Sequence, residues 1–150
     1  MRARPLGMLI LAGALLGGCA TTAAGQPSVP RDALTITCDE FAAPARGEAN
    51  EPVERTVTVA AGEAFQITLC SNPSTGFGWE EPTIAGPAGI TLVERRTVPA
   101  AGSMVGSPGS ETFTFRTASA GTGTIDFAYS RPWEGGEKGA WTVQVSVVAS

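Results

Sequence analysis

Few residues in this chain could carry out chemistry, and histidine is missing altogether. The 150 residues contain no histidine and three cysteines, which excludes a serine–histidine–aspartate triad, a cysteine–histidine pair and most zinc sites. The carboxylates of Glu80 and Glu81 would not converge on one substrate, because adjacent residues of a strand point to opposite faces. The sequence also lacks a phosphate-binding loop and a dinucleotide fingerprint. We therefore expect a protein that is not an enzyme and that uses neither a metal nor a cofactor.

One segment with strong turn chemistry follows the alternating apolar run AFQITLC. Residues 71–79 read SNPSTGFGW, in which Asn72 can support a turn through its side chain, Pro73 fixes φ near about −65° and Gly76 tolerates positive φ. Any connection between two strands could use these residues. By itself, the segment predicts a turn and leaves its purpose open.

A second segment, YSRPWEGGEKGAW, places a tryptophan in a polar turn rich in glycine. Tryptophan and arginine are the residue types that dominate binding interfaces, so Trp133 and Arg131 are candidate binding residues. The alternative is that Trp133 folds back over the end of the domain as a plug. Trp79 and Trp141 stand at strand starts, and we expect both to be structural.

A third segment, VPAAGSMVGSPGS at residues 98–110, is long, neutral and rich in small residues. We interpret it as a mobile flap, and a disordered connection is the alternative.

The elements that must position these loops are β-strands. Apolar and polar residues alternate in several runs, and no helical period is found after residue 20. The clearest runs lie at residues 34–37, 53–59, 65–69, 112–115, 124–129 and 141–147. Seven to eight short strands, each with one apolar face, predict an all-β fold, specifically an immunoglobulin-like antiparallel β-sandwich. A small barrel is the alternative.

The N-terminus has the features of an export signal. Two arginines precede an apolar stretch at residues 6–16, which is too short to span a bilayer. The sequence LGGC at residues 16–19 resembles a bacterial lipobox, and lipidation of Cys19 would anchor the chain to the cell envelope, at the outer membrane or periplasmic face. An ordinary secretory signal with a chance cysteine is the alternative. The predicted organisation is a signal peptide at 1–18, a lipidated cysteine and flexible tether at 19–32, and one domain at 33–150.

Export also affects the two remaining cysteines, Cys38 and Cys70. An oxidising compartment and an even count favour a disulfide between them. The alternation of side chains along a strand argues against this disulfide. Cys38 is two residues after the inward Ile36 and would also point inward, whereas Cys70 directly follows the inward Leu69 and would point outward. A bulge, or a strand that ends before Cys70, would remove the conflict.

The charge of the predicted mature chain limits its partners. Removal of two signal-peptide arginines leaves eight basic and 14 acidic residues, a net charge of −6. An acidic surface disfavours nucleic acid and anionic lipid as partners. About 120 residues suffice for one domain with its own core, and we expect a monomer.

The three loops, taken in order, resemble those of the chagasin family of cysteine-protease inhibitors. That family carries an NPTTG-type loop, a glycine-rich middle loop and an RPW-type loop on an immunoglobulin-like sandwich. The first motif is NPSTGF at residues 72–77, the middle candidate is GSPG at 106–109, and the last is RPWE at 131–134. The resemblance covers about residues 33–148. Ser74 stands where the family often has threonine, which keeps the hydroxyl and loses a methyl group.

The resemblance implies a reversible inhibitor that blocks the active-site cleft of papain-like cysteine proteases with these loops. Residues 72–76 would block the catalytic centre, while the third loop would grip one wall of the cleft and residues 106–109 the other. The implied protease-binding residues are Asn72, Pro73, Ser74, Thr75, Gly76, Phe77, Gly106, Gly109, Arg131, Pro132 and Trp133. Two other functions remain open: a non-catalytic module that binds a cell-envelope protein or glycan, and a structural envelope lipoprotein.

Overall fold

Two β-sheets pack against each other and enclose the core. The structure, a computed structural model, describes residues 32–42, 51–102 and 106–150, and within these ranges nine strands form two sheets. One sheet has the order β1-β3-β7-β6 and the other has the order β2-β9-β8-β4, with β5 also paired to β8. The predicted all-β sandwich is confirmed. The strands are β1 (Asp32–Ile36), β2 (Val53–Val59), β3 (Ala64–Ser71), β4 (Gly78–Trp79), β5 (Thr83–Ala85), β6 (Thr91–Val98), β7 (Gly109–Arg116), β8 (Gly121–Ser130) and β9 (Trp141–Ala149).

The strand count exceeds seven to eight because one edge strand is interrupted. β4 and β5 both pair antiparallel with β8, opposite Tyr129–Ser130 and Thr124–Asp126 respectively. Pro82 lies between them and has no N–H group for a ladder. Two further pairings, β1 with β3 and β2 with β9, are parallel. The alternation of apolar and polar residues reports the face on which a side chain lies but not the direction of the neighbouring strand. The sequence pattern therefore could not reveal that these two pairings are parallel.

The strand β6 escaped the sequence pattern for a local reason. It lies at the edge of its sheet, and its pairing with β7 shifts between Leu92 and Glu94. This bulge puts an extra residue, Val93, into the strand and disrupts the period of two. Charged residues on an exposed edge also weaken the apolar signal while they discourage unwanted strand pairing.

The core consists of the inward faces of both sheets. Phe113 on β7 meets Phe127 on β8 edge to face, with ring centroids 5.1 Å apart. Burial of these faces supplies the main driving force for the fold, at about 25 cal/mol for each Å² of apolar surface removed from water. The largest apolar side chains that the two sheets bury completely are Phe65, Phe113, Phe115, Ile36, Ile67, Leu69, Ile125, Val143, Val145 and Val147.

A disulfide joins Cys38 to Cys70, with Cα atoms 5.1 Å apart. The parity conflict disappears because β1 ends at Ile36 and Cys38 begins a short 3-10 helix, Cys38–Phe41. Strand alternation therefore does not extend to Cys38. Cys70 remains within β3 and is buried, so the strand that ends early is β1 and not β3.

The predicted signal peptide at residues 1–18, Cys19 and the tether lie outside the described residues. Within the ranges that the structure describes, no helix has both the length and the apolar character needed to cross a bilayer.

Loss of the disulfide is expected to destabilise the domain. The bond closes a segment with a sequence separation of 32 residues, so the double variant Cys38→Ala/Cys70→Ala should lose about 3–4 kcal/mol of unfolding free energy. Urea denaturation of the oxidised wild type and the variant measures this difference. An unchanged unfolding midpoint would contradict it.

Candidate functional site

The central loop is a single helical turn that its own residues hold in place. After β3 ends at Ser71, a 3-10 turn spans Pro73–Thr75. The Thr75 N–H and the Thr75 hydroxyl both donate to the Asn72 carbonyl, at 3.2 and 2.7 Å. The Ser74 hydroxyl donates to Asn72 Oδ1 at 2.5 Å. Three residues at the tip, Pro73, Ser74 and Thr75, remain exposed, so a stiff, narrow turn protrudes from the end of the sandwich.

The middle loop lies on one side of this turn. The side-chain amide of Asn72 donates to the Gly106 carbonyl at 3.0 Å, and Asn72 therefore connects the two loops. A cleft of about 300 Å³ lies between them, lined by Ser71, Asn72, Pro73, Ser74, Thr97, Val98, Pro99, Ala100, Ser107, Gly109 and Ser110.

Gly109 lies at the base of the middle loop rather than at its tip. It is the first residue of β7 and pairs with Ser71. A Cβ atom at this position would lie 2.4 Å from the Val98 carbonyl oxygen. Only glycine permits this close approach of two backbones, so the structure gives Gly109 a structural role.

The third loop lies on the other side of the central turn and closes on itself. The Arg131 N–H donates to the Glu137 carbonyl at 2.8 Å, and the Gly136 N–H donates to the Trp133 carbonyl at 3.0 Å. The Lys138 ammonium also donates to the Arg131 carbonyl at 2.6 Å. These bonds fix the backbone of the loop that carries Trp133.

The indole of Trp133 packs against the backbone of the central loop. Gly76 adopts a left-handed conformation, with φ of 80°, and a Cβ atom there would lie only 2.7 Å from the indole ring. Trp133 nevertheless stays 51% exposed. The ring therefore does not cover the core, which argues against the plug alternative: its six-membered ring packs on Gly76 while about half of the residue's surface stays open to solvent.

A continuous stack of planar groups connects the core to this exposed ring. It consists, in order, of Phe41, Trp141, Tyr129, Phe77, Arg131 and Trp133. The first three pairs of ring centroids are 4.6, 4.6 and 5.5 Å apart, with interplanar angles of 11°, 9° and 19°. The Arg131 guanidinium lies 4.4 Å from the Phe77 centroid and 5.8 Å from that of Trp133, both within the range of cation–π attraction.

Two further hydrogen bonds, one partly buried and one buried, hold the base of the central loop. The Asn72 N–H donates to the Tyr129 hydroxyl at 2.8 Å. The Trp79 indole N–H donates to the Cys70 carbonyl at 2.9 Å. Trp79 is 3% exposed and Trp141 belongs to the stack, so the structural roles predicted for both tryptophans agree with their positions.

The structure brings all three sequence-predicted loops to one end of the sandwich. Phe77 is partly buried between Tyr129 and Arg131 and supports the base of the central loop, while the binding role that the resemblance implies for it stays a prediction. Sequence reasoning missed Tyr129 as a loop support, since alternation marks it as inward without revealing the partner of its hydroxyl.

No part of the described chain groups three or more residues able to ligate a metal.

Comparison with known proteins establishes the family. The model of the Chagasin family peptidase inhibitor I42 matches residues 58–147, a range that contains all three loops. The chain belongs to the chagasin family of peptidase inhibitors. The chain is 40% identical to Chagasin of Trypanosoma cruzi over 83 residues, which are 53% of this chain and 76% of that protein. It is 33% identical to Amoebiasin-2 of Entamoeba histolytica over 95 residues, which are 62% of this chain and 76% of that protein.

Solved structures agree with this assignment. The crystal structure of the cysteine protease inhibitor EhICP2 from Entamoeba histolytica matches with a TM-score of 0.56 and 28% identity, covering 81% of this chain and all of that one. The structure of PbICP-C in complex with falcipain-2 matches with a TM-score of 0.53 and 18% identity, covering 79% and 99% of the two chains, and supports the fold alone. The protein is a cysteine-protease inhibitor of the chagasin family and not an enzyme.

Substitution of Gly76 by alanine tests the contact between the central and third loops. Gly62 provides a matched control, because its φ is 82° and a Cβ atom there would meet nothing within 4 Å. Both Gly76→Ala and Gly62→Ala should lose about 1–2 kcal/mol of unfolding free energy through left-handed strain. Only Gly76→Ala should also shift the NMR signal of the Trp133 indole and weaken inhibition. An unshifted indole signal would contradict the packing of Trp133 on Gly76.

Proposed function

We propose that this inhibitor binds papain-like cysteine proteases reversibly with a wedge formed by residues 72–76, 106–108 and 131–134. The central turn enters the active-site cleft, the third loop contacts one wall and the middle loop the other. The observation that carries this proposal is the convergence of the three loops at one end of the sandwich, where Trp133 packs on Gly76 and stays half exposed. PbICP-C, which shares this fold, is in complex with falcipain-2, and its partner is consistent with the proposed target class.

The shape of the central turn explains how it could occupy a protease without being cleaved. A papain-like protease attacks the carbonyl of an extended peptide, and attack requires a specific alignment of the reacting atoms. The 3-10 turn at Pro73–Thr75 is compact and not extended. It presents exposed small side chains to the cleft while its backbone stays in the wrong geometry for attack.

Rigidity would make the wedge bind tightly for its size. The hydroxyls of Ser74 and Thr75 are already hydrogen-bonded within the free loop, and two prolines restrict the backbone of the central and third loops. Little conformational entropy then remains to be lost on docking. The exposed indole of Trp133 adds a large apolar contact with few rotatable bonds.

Titration against papain and several related proteases tests this function. A soluble form of the chain that begins near residue 30 should abolish peptide hydrolysis at about one equivalent, and dilution should restore the activity. If saturating protein leaves hydrolysis by all these proteases unchanged, the proposed target class is wrong.

Trp133→Ala should weaken inhibition without unfolding the domain. Half of the side chain is solvent-exposed, so the melting temperature should change little, whereas loss of an interface tryptophan should raise the inhibition constant about 30-fold. Val148→Ala is the control, because Val148 is also exposed but lies near the end of β9, away from the wedge. A large fall in melting temperature without a change in the inhibition constant would instead assign Trp133 a structural role.

We further propose that lipidated Cys19 anchors the inhibitor to the bacterial cell envelope, at the outer membrane or its periplasmic face. The direction of β1 supports this arrangement. β1 is parallel to β3, and its first residue, Asp32, pairs with Phe65, whereas β3 enters the central loop after Ser71. At about 3.3 Å per residue, these levels are roughly 20 Å apart. A tether that precedes Asp32 would leave from the end opposite the wedge, so anchoring would leave the wedge free for a protease.

Cys19→Ala should release the protein from the membrane fraction. The variant should inhibit papain as strongly as the wild type, because the proposed anchor and the wedge lie at opposite ends of the domain. Fractionation of cells that express each form, followed by inhibition assays on both, measures these outcomes. Recovery of the wild type in the soluble fraction would contradict the anchor.

A further inference from the structure

The two ends of the central loop belong to different sheets. Ser71 ends β3 of the first sheet, and Trp79 lies in β4 of the second sheet. Residues 72–77 therefore cross from one sheet to the other at the wedge end. The shape of the turn depends on how these two ends are held relative to each other.

An ion pair between Arg95 and Glu111 connects both ends of the loop. Glu111 is 5% exposed, and its Oε1 accepts a hydrogen bond from the Ser71 hydroxyl at 3.3 Å. Its Oε2 accepts a hydrogen bond from Arg95 Nε at 2.8 Å and lies 2.7 Å from Arg95 Nη2 in the ion pair. Arg95 Nη2 also donates to the carbonyl of Trp79 at 2.5 Å. A chain of hydrogen bonds thus runs from Ser71 through the ion pair to Trp79.

The geometry of this bridge requires an arginine. The planar guanidinium donates in several fixed directions, so it can bind a carboxylate on its own sheet and a carbonyl on the other sheet at once. Arg95 lies over the ring of Phe113, 5.1 Å from its centroid, which further orients the guanidinium. A lysine ammonium lacks this planar fork and would not reproduce the same set of bonds.

Stability alone does not account for the pair. Burial of a carboxylate costs free energy unless it is paired, and apolar residues of similar volume often stabilise a fold as well as a buried ion pair does. The pair adds a fixed geometry, because its hydrogen bonds end on Ser71 and Trp79, the two residues that flank the central loop. We propose that Arg95 and Glu111 are positioning residues that hold the central turn in its binding shape, an inference that rests on the proposed function of the wedge.

The double variant Arg95→Met/Glu111→Leu separates positioning from stability. Removal of both charges avoids an unpaired buried carboxylate, so the full-length chain in detergent should keep its melting temperature within a few degrees. Its inhibition constant against papain should rise about tenfold, because the freed loop must be ordered on binding. Hydrogen exchange in the free protein should become about tenfold faster at the amides of Asn72, Thr75 and Gly76, and stay unchanged in β3 and β8.

Arg96→Met is the matched control, because Arg96 is the next residue of the same strand and is exposed. It should change neither inhibition nor exchange. If the double variant does not fold, Arg95→Lys tests the same point, since it keeps the charge and loses the fork; it too should speed exchange only in the loop.

Three results would overturn the inference: unchanged exchange in the loop, equally faster exchange throughout the core, or an unchanged inhibition constant despite a loosened loop. Failure of the proposed function is distinguishable from these results. In that case the wild type itself inhibits no papain-like protease, while the exchange measurement, which needs no protease, still reports whether the ion pair holds the loop.

Discussion

The stack of planar groups from Phe41 to Trp133 is the interaction on which the functional end of this protein depends. At the end of a β-sandwich the two sheets must be closed without a further strand, and here aromatic rings fill that space. Each planar group packs on the next, so the close packing of the core continues outward to the half-exposed indole of Trp133. Because the stack passes through Phe77, it also fixes the central loop at the point where that loop rejoins a strand.

In the proposed function, the resulting surface would act by shape alone. An inhibitor of this kind needs no proton donor or nucleophile, which is consistent with a sequence that contains no histidine. For such inhibition, the central turn must keep a compact backbone inside an active-site cleft that binds substrates in an extended conformation. Internal hydrogen bonds of Ser74 and Thr75, the Asn72 bridge to Gly106 and the indole packed on Gly76 all reduce the freedom of that turn before a protease is met.

The two flanking loops differ in how they are held. The third loop is closed by its own backbone bonds and connected to the core through Arg131, whereas the described part of the middle loop meets the central turn chiefly through the Gly106 carbonyl. Gly109 lets the strands that carry the middle loop approach closely. The proposed wedge thus combines a third loop that packs on the central turn through Trp133 with a middle loop whose described residues meet that turn through the Gly106 carbonyl, and the two sides would present different surfaces to the walls of a cleft.

Much of the fold was predictable, because a period of two marks half-buried strands wherever it is unbroken. The prediction was incomplete where local chemistry breaks the period: at β6, where a bulge inserts Val93, and between β4 and β5, where Pro82 interrupts the ladder. Parity also misled at Cys38, since the chain had already left the strand. These are places where backbone geometry, and not side-chain polarity, decides the structure.

By itself, the sequence determined that the chain forms strands, that Gly and Pro place turns at three loops, and that those loops resemble an inhibitor family. Only the tertiary structure decided which groups meet. Ser71, Glu111 and Arg95 lie far apart along the chain, and neither composition nor alternation reveals that they form one network. The same holds for Phe77, which the fold packs between Tyr129 and Arg131. Alternation specifies the face of a strand on which a side chain lies, whereas its partners depend on strand order and loop path, which arise only when the whole chain packs.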